Sequence, residues 1–315
     1  MDSNKIHLLG VYLRGIAMGA ADIIPGVSGG TIAFITGIYE ELLSSIKSVN
    51  FAALTVLMKR GPLACWQHIN GSFLLALLIG ILTSVFSFAH VITYLLEAFP
   101  LFVWSFFFGL ICASSIFIAK QLKQWDLASF SVFSLGVVAA YFIGQMQPSE
   151  FQPSLLMVFG AGAIAICAMI LPGVSGSFIL VLLGLYNHIL AAVRDFQWLM
   201  LLSFAAGCAL GLLSFSYLLS WLFQRYHDLT LASLTGFLVG SLNLVWPWKQ
   251  VSSFYESSSG EKMAFVSHNV TPQTYQLVTG LESNTLICMF LMFSGGLVIV
   301  VMEYAGTKFE KQIEK

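Results

Sequence analysis

The chain has 315 residues, of which 58% are hydrophobic and 9% are charged, and its mean hydropathy is +0.87. Soluble domains carry about 25% charged residues, so this composition excludes a water-soluble enzyme and indicates a polytopic membrane protein. The net charge of −1 argues against a nucleic-acid partner, and the scattered cysteines and histidines show no metal-ligand spacing.

Ten apolar segments follow one another along the chain, and about 20 apolar residues span the hydrocarbon core as a helix. The segments that flank two Pro-Gly breaks are short, and the others are long enough to cross. We therefore predict an all-α polytopic membrane protein. The segments lie at 8–24, 27–46, 72–96, 99–119, 127–146, 155–171, 174–193, 198–223, 229–246 and 284–304.

One sequence motif occurs twice in the chain, at a constant offset of 147 residues. It reads DIIPGVSGGTIAFITGIYEELL over 22–43 and MILPGVSGSFILVLLGLYNHIL over 169–190. We therefore predict two repeats, 1–147 and 148–315, each opening with a Pro-Gly-broken re-entrant hairpin. Whether or not the flanking segments span, an odd number of crossings separates the copies. The second copy then enters from the opposite face, which makes the repeats inverted.

A weaker sequence similarity relates Gly109 to Gly236 at the shorter offset of 127 residues. Because this offset is shorter than 147 residues, the first half must contain extra sequence between its matched parts, near 50–70. We interpret this piece as a short helix on the membrane surface, with a plain loop as the alternative.

Positive residues set the orientation, because cytoplasmic loops carry an excess of Lys and Arg. With the N-terminus inside, both termini are cytoplasmic and the polar stretch 247–283 is an outer loop. The cytoplasmic set is Lys5, Lys47, Lys59, Arg60, Lys120, Lys123, Arg225, Lys308, Lys311 and Lys315, and the outer set is Arg194, Lys249 and Lys262.

The PGVSG motif predicts a helix break followed by a new helix that begins inside the membrane. Proline disfavours helix in the residue before it, so the preceding helices should end at Ile24 and Leu171. Ser28 and Ser175 are good N-caps for the helices that follow. Such N-termini bind anions, phosphate above all. The alternative is that the motif makes only a hairpin corner with small residues for close packing.

Four ionisable residues near the first copy are candidates for transport chemistry. Asp22 lies deep, beside the break, and either carries a coupling proton or cation (H⁺ or Na⁺) or holds the hairpin tip by accepting backbone N–H groups. Arg14 either meets an anionic head group or snorkels to the interface. Glu40 and Glu41 either relay protons or end a solvated helix. The counterpart of Asp22 in the second copy is Met169.

These motifs, ADIIPGVSGGT with GIYEEL and then LPGVSGS with GLY, resemble a bacterial family of polyprenyl-phosphate translocases over essentially the whole chain. The resemblance implies a protein of the cytoplasmic membrane that returns undecaprenyl phosphate, the lipid carrier for cell-wall sugars, from the outer to the inner leaflet. We expect no cofactor, and His188 stands where the resemblance leads us to expect an acid in the second copy. It places the phosphate head group at Ser28, Gly29, Gly30, Thr31, Ser175, Gly176 and Ser177.

Two other classes of function are compatible with parts of the pattern. A transporter of a small soluble anion would use the same helix termini, but it would need an aqueous path. A membrane enzyme would need a base beside Ser28 or Ser175, and no His or Lys lies within a helical turn of either serine. We therefore do not expect an enzyme.

Overall fold

The computed structural model describes residues 3–23, 28–146, 154–256 and 262–313, so Ile24 and the first Pro25-Gly26-Val27 lie outside the described residues. All ten predicted apolar segments contain helix. The helices are α1 (Ser3–Asp22), α2 (Gly29–Ile35), α3 (Tyr39–Ser48), α4 (Phe51–Arg60), α5 (Pro62–His68), α6 (Gly71–Ala98), α7 (Pro100–Ala119), α8 (Leu127–Gln145), α9 (Leu155–Ile170), α10 (Gly176–Leu182), α11 (Tyr186–Arg194), α12 (Trp198–Arg225), α13 (His227–Ser241), α14 (Pro272–Thr279) and α15 (Thr285–Ile313).

The described helices confirm an all-α polytopic membrane protein. Four of them contain stretches long and apolar enough to cross a membrane, at Gly71–Phe88, Pro100–Ala119, Leu127–Gln145 and Trp198–Arg225. Two further helix pairs are apolar enough together but are sharply bent. The two helices of a pair meet at 106° for α10 and α11 and at 66° for α3 and α4. If each pair counts as one span, the number of candidate spans rises to six.

The helices pack in four main pairs, two within the proposed halves and two between them. Helix α1 packs on α6 and helix α9 packs on α12, each pair within its own half. Helix α7 packs on α15 and helix α8 packs on α13, and both of these pairs join the two halves. The same pattern of partners in both halves supports a two-repeat chain, and the inverted relation stays a prediction.

Glycines at matched positions bring the backbones of these pairs close together. Gly15 and Gly80 approach across the α1–α6 pair, and Gly162 and Gly207 approach the opposing helix in the α9–α12 pair. Gly15 and Gly162 are 147 positions apart, whereas Gly80 and Gly207 are 127 apart. Small residues at helix crossings allow the close approach on which association in a membrane depends.

The two pairs that join the halves repeat this arrangement. Gly109 and Gly295 each approach the opposing helix in the α7–α15 pair, and Gly236 faces Gly136 across the α8–α13 pair. Gly109 and Gly236 are the glycines of the weaker sequence similarity between the halves. A side chain at any of the four would press on the backbone of the neighbouring helix.

The two non-repeated stretches are folded. The stretch near 50–70 is helical, as α4 and α5, with Gly61 between them. The expected outer loop contains an antiparallel hairpin, β1 (Lys249–Glu256) and β2 (Lys262–Asn269), followed by α14. It is anchored where Trp248 Nε1 donates to the Ser283 carbonyl (2.9 Å), because a buried indole N–H needs an acceptor.

We predict that Gly80→Ala and Gly207→Ala each destabilise the protein by about 1–3 kcal/mol, because a Cβ there overlaps the Tyr12 or the Phe159 carbonyl oxygen. The matched control is Gly160→Ala, whose Cβ meets nothing within 4 Å. It should be neutral or stabilising by up to about 1 kcal/mol. Thermal unfolding in detergent micelles measures all three. Equal losses for the control and the test variants would contradict close packing at these crossings.

Candidate functional site

The second Pro-Gly break forms a tight turn between α9 and α10. Leu171 is extended, as expected before proline, and Gly173 has a φ of +85°. The Val174 N–H donates to the Leu171 carbonyl (3.4 Å). A type II turn typically has proline at its second position and a glycine with positive φ at its third, as Pro172 and Gly173 do here. The predicted end of the first helix of this half at Leu171 is therefore confirmed, with Leu171 as the capping residue.

Both short helices that follow the motif end in the same way. Gly37 and Gly184 have φ values of +73° and +66°. Just beyond each glycine, an N–H reaches back five residues, from Ile38 to the Ala33 carbonyl (3.0 Å) and from Leu185 to Leu180 (2.9 Å). This is a Schellman ending, and it turns the chain into the next helix of each hairpin.

Two side chains cap the N-terminus of α2 in the first copy. The Ser28 hydroxyl accepts a hydrogen bond from the Gly30 N–H (3.0 Å), which confirms Ser28 as an N-cap. The Asp22 carboxylate accepts one from the Gly29 N–H (2.6 Å). A Cβ on Gly29 would lie 2.5 Å from Asp22 Oδ2, so glycine makes room for this acid. This bond is of the kind expected if Asp22 holds the hairpin tip, and its role in coupling stays a prediction.

The two motif copies contact each other directly. The Ser28 hydroxyl donates to the Met169 carbonyl (2.6 Å), and the Thr31 hydroxyl oxygen accepts from the Gly173 N–H (2.9 Å). The Tyr39 hydroxyl donates to the Ile170 carbonyl (3.1 Å). These three side chains are at most 2% exposed, so each bond links the halves inside the protein.

Close backbone packing completes this contact between the copies. A Cβ on Gly30 would overlap the Ile170 carbonyl oxygen and lie 2.8 Å from that of Met169. The start of α2 therefore lies against the end of α9 with no space for larger residues.

The second copy has the same short helix and the same helix ending as the first, but different polar partners. Ser175 occupies the N-cap position of α10, yet the structure shows no side-chain bond from it to the first turn, so its predicted capping bond is wrong. Its hydroxyl lies 2.8 Å from the Ser177 hydroxyl instead. Because Met169 stands where the first copy has Asp22, no carboxylate is available there. Gly176 packs closely, with a Cβ position 2.7 Å from the Ala165 carbonyl.

The remaining predicted residues lie apart from this contact. Arg14 is partly buried in the middle of α1, and no bond joins it to the described motif residues. Glu40 Oε1 lies 3.4 Å from His227 Nε2, and Glu41 Oε1 accepts from Asn70 Nδ2 (2.9 Å). Both acids are in the first turn of α3, where a negative charge interacts favourably with the helix dipole.

Sequence reasoning missed several groups that build the site. Tyr39 is the main one, and its recurrence as Tyr186 was the available signal. The carbonyls of Met169 and Ile170 accept the interhalf bonds, and backbone groups leave no residue-type signal. Among the described residues, no group of three or more His, Cys, Asp or Glu is placed to hold a metal ion.

A helical membrane protein with Pro-Gly-broken helices that meet inside it has the architecture of a transport protein. Residues 18–263 match the family described as VCA0040-like, undecaprenyl phosphate translocase-like, and the chain belongs to this family. The resemblance found in the motifs is thereby confirmed.

Two relatives extend the match over most of the chain. The polyprenyl-phosphate transporter of Vibrio cholerae serotype O1 is 46% identical over 306 residues, which is 97% of this chain and 99% of the relative. The polyprenyl-phosphate transporter of Staphylococcus aureus is 30% identical over 253 residues, 75% of this chain and 85% of the relative. These names indicate a transporter and not an enzyme. No solved structure matches the chain.

We predict that Thr31→Val destabilises the protein by about 1–3 kcal/mol, because it leaves the buried Gly173 N–H without its acceptor. Thr235→Val is the matched control. Thr235 is equally buried, but its hydroxyl only donates to the Leu231 carbonyl of its own helix, so its loss leaves no N–H unpaired. Thermal unfolding of both variants compares them, and equal effects would show that the interhalf bond contributes nothing measurable.

Proposed function

We propose that this protein translocates undecaprenyl phosphate from the outer to the inner leaflet of the bacterial cytoplasmic membrane. The returned lipid would then serve again as carrier in cell-wall synthesis. The family description and the names of both relatives support this substrate class. The distribution of Lys and Arg supports a chain with both termini in the cytoplasm.

The contact between the two motif copies is the observation that carries the proposal. Ser28 and Thr31 of the first copy bond to Met169 and Gly173 of the second. In transporters built from inverted repeats, the substrate site lies where the repeats meet and broken helices point at it. We propose that residues 1–147 and 148–315 are such repeats, and their matched helix pairs support this.

The phosphate is proposed to bind at the N-termini of α2 and α10. Ser28, Gly29, Gly30 and Thr31 form one side, and Ser175, Gly176 and Ser177 form the other. Backbone N–H groups and hydroxyls are suitable partners for phosphate oxygens. Since the first copy already holds the Asp22 carboxylate and the second has no side-chain cap, the phosphate should engage α10 first. Arg14 is proposed to meet the head group at the mouth.

Asp22 is proposed to couple transport to H⁺ or Na⁺ by competing with the substrate. Its carboxylate and a phosphate oxygen are both acceptors for the Gly29 N–H. A bound proton or cation weakens the hold of the carboxylate on this N–H, because ionised acceptors make the stronger bonds. The amide is then free for phosphate. Glu40 and Glu41 are proposed to pass protons between the aqueous face and the hairpin.

The test is leaflet exchange of a labelled undecaprenyl phosphate in proteoliposomes, with and without a pH gradient. We expect protein-dependent exchange of the phosphate lipid and none of the uncharged polyprenol, because only the phosphate accepts bonds from the helix termini. Uptake of inorganic phosphate is measured in the same vesicles. Uptake of phosphate without exchange of the lipid would replace this proposal with a soluble-anion transporter.

We predict that Asp22→Asn and Asp22→Ala separate the two roles of Asp22. The Asn side-chain oxygen still accepts from the Gly29 N–H, so stability should change by less than about 1 kcal/mol, whereas Ala should cost about 1–2 kcal/mol as a lost cap. Both variants should lose the response to the pH gradient, with at least tenfold slower exchange.

Glu40→Gln is the comparison, since Glu40 is exposed and lies away from the hairpin contact. It should slow exchange less than Asp22→Asn does. Exchange by Asp22→Asn at the wild-type rate would remove the carboxylate from coupling and leave it a structural cap.

A further inference from the structure

Helices α4 and α5 form a separate element that two asparagines attach to the helix bundle. At its start, Asn50 Oδ1 accepts from the Ala52 N–H (2.8 Å), while Asn50 Nδ2 donates to the Tyr217 hydroxyl of α12 (2.8 Å). At its end, Asn70 Nδ2 donates to Glu41 Oε1 of α3 (2.9 Å). The element is thus fixed at both ends beside the first hairpin.

Between these two attachments, the element leaves most of its apolar surface uncovered. Its two helices pack on each other, and Ala53 is their one fully buried residue. Phe51 is 89% exposed, Met58 80% and Leu63 70%. Leu54, Leu57 and Trp66 are also exposed. Contiguous apolar surface of this kind marks an interaction site.

The length, charge and position of the element identify what covers this surface. Helices of 10 and 7 residues are too short to cross a bilayer. Neither contains an acid, and α4 ends in Lys59-Arg60. The element leads directly into Gly71, the first residue of the long apolar α6, so it lies level with the end of a spanning stretch. Apolar residues with adjacent cations at this level suit anionic lipid.

We propose that α4 and α5 lie flat in the membrane interface and bind anionic lipid head groups through Lys59 and Arg60. The apolar side of α4, with Phe51, Leu54 and Met58, then lies among the upper acyl chains. Only the first half carries this element, because three residues connect α11 to α12 in the second half. It anchors the hairpin of the first half to the leaflet through the Asn70 contact with α3.

A fluorescent label on opposite sides of α4 tests the orientation. Leu54→Cys and Ala52→Cys place the label roughly 200° apart around the helix. Both positions are exposed, so labelling should leave the fold intact. Each change is made in a full-length chain with the five native cysteines replaced by alanine, in vesicles that contain a phospholipid spin-labelled in the upper part of its acyl chain. We expect at least threefold stronger quenching at position 54 than at 52. Equal quenching at both, or none at 54, would overturn the proposal.

The charge requirement is tested in the Leu54→Cys chain with Lys59→Gln and Arg60→Gln added. In vesicles with 30% phosphatidylglycerol, quenching should be at least twofold above that in pure phosphatidylcholine for the parent chain. The double variant should show no such difference. If the parent is quenched equally in both vesicles, the element does not recognise anionic lipid.

Discussion

The hydrogen bond from Ser28 to the Met169 carbonyl meets a requirement on which the rest of the structure depends. Every backbone group freed by a helix break inside a membrane must find a partner within the protein. In the first copy, the freed N–H groups at the start of α2 are held by Asp22 and by Ser28 itself. The Met169 carbonyl, near the end of α9, is held by the first copy in turn. Backbone groups of the second break are thus satisfied partly by side chains of the first copy, which explains why the two copies must meet.

This need for contact explains the helix pairing around the site. The breaks can meet only if the helices that carry them, α1 and α9, are held in fixed positions. Each packs on one long partner through close-approach glycines, Gly15 with Gly80 and Gly162 with Gly207. The α7–α15 and α8–α13 pairs then tie the halves together. Short separations between backbones make these pairs stiff, so a change of access would move pairs as units and leave the crossings intact.

Sequence patterns predicted much of this architecture, because they act locally. Apolar runs of spanning length predicted the helices, and the Pro-Gly break after Leu171 and the cap at Ser28 follow from conformational rules that need no neighbours. The pairing of α8 with α13 did not follow, since both helices are apolar on all sides and hydropathy cannot choose their partners. Ser175 shows the limit most clearly. Its cap position was predictable, but its hydroxyl lies against the Ser177 hydroxyl and bonds to no backbone N–H of the first turn, which the motif does not indicate.

The inequality between the two copies has a mechanistic consequence. At matched positions, the first copy has an ionisable carboxylate on the Gly29 amide, and the second has the thioether of Met169. A site with two equal helix termini would bind an anion equally from both faces. Here one terminus is already occupied by a negative group of the protein, so an anion meets repulsion there unless that group is neutralised. If phosphate binds at these termini as proposed, the charge state of Asp22 would bias which terminus holds it, and this bias would give two similar halves a means of favouring one direction.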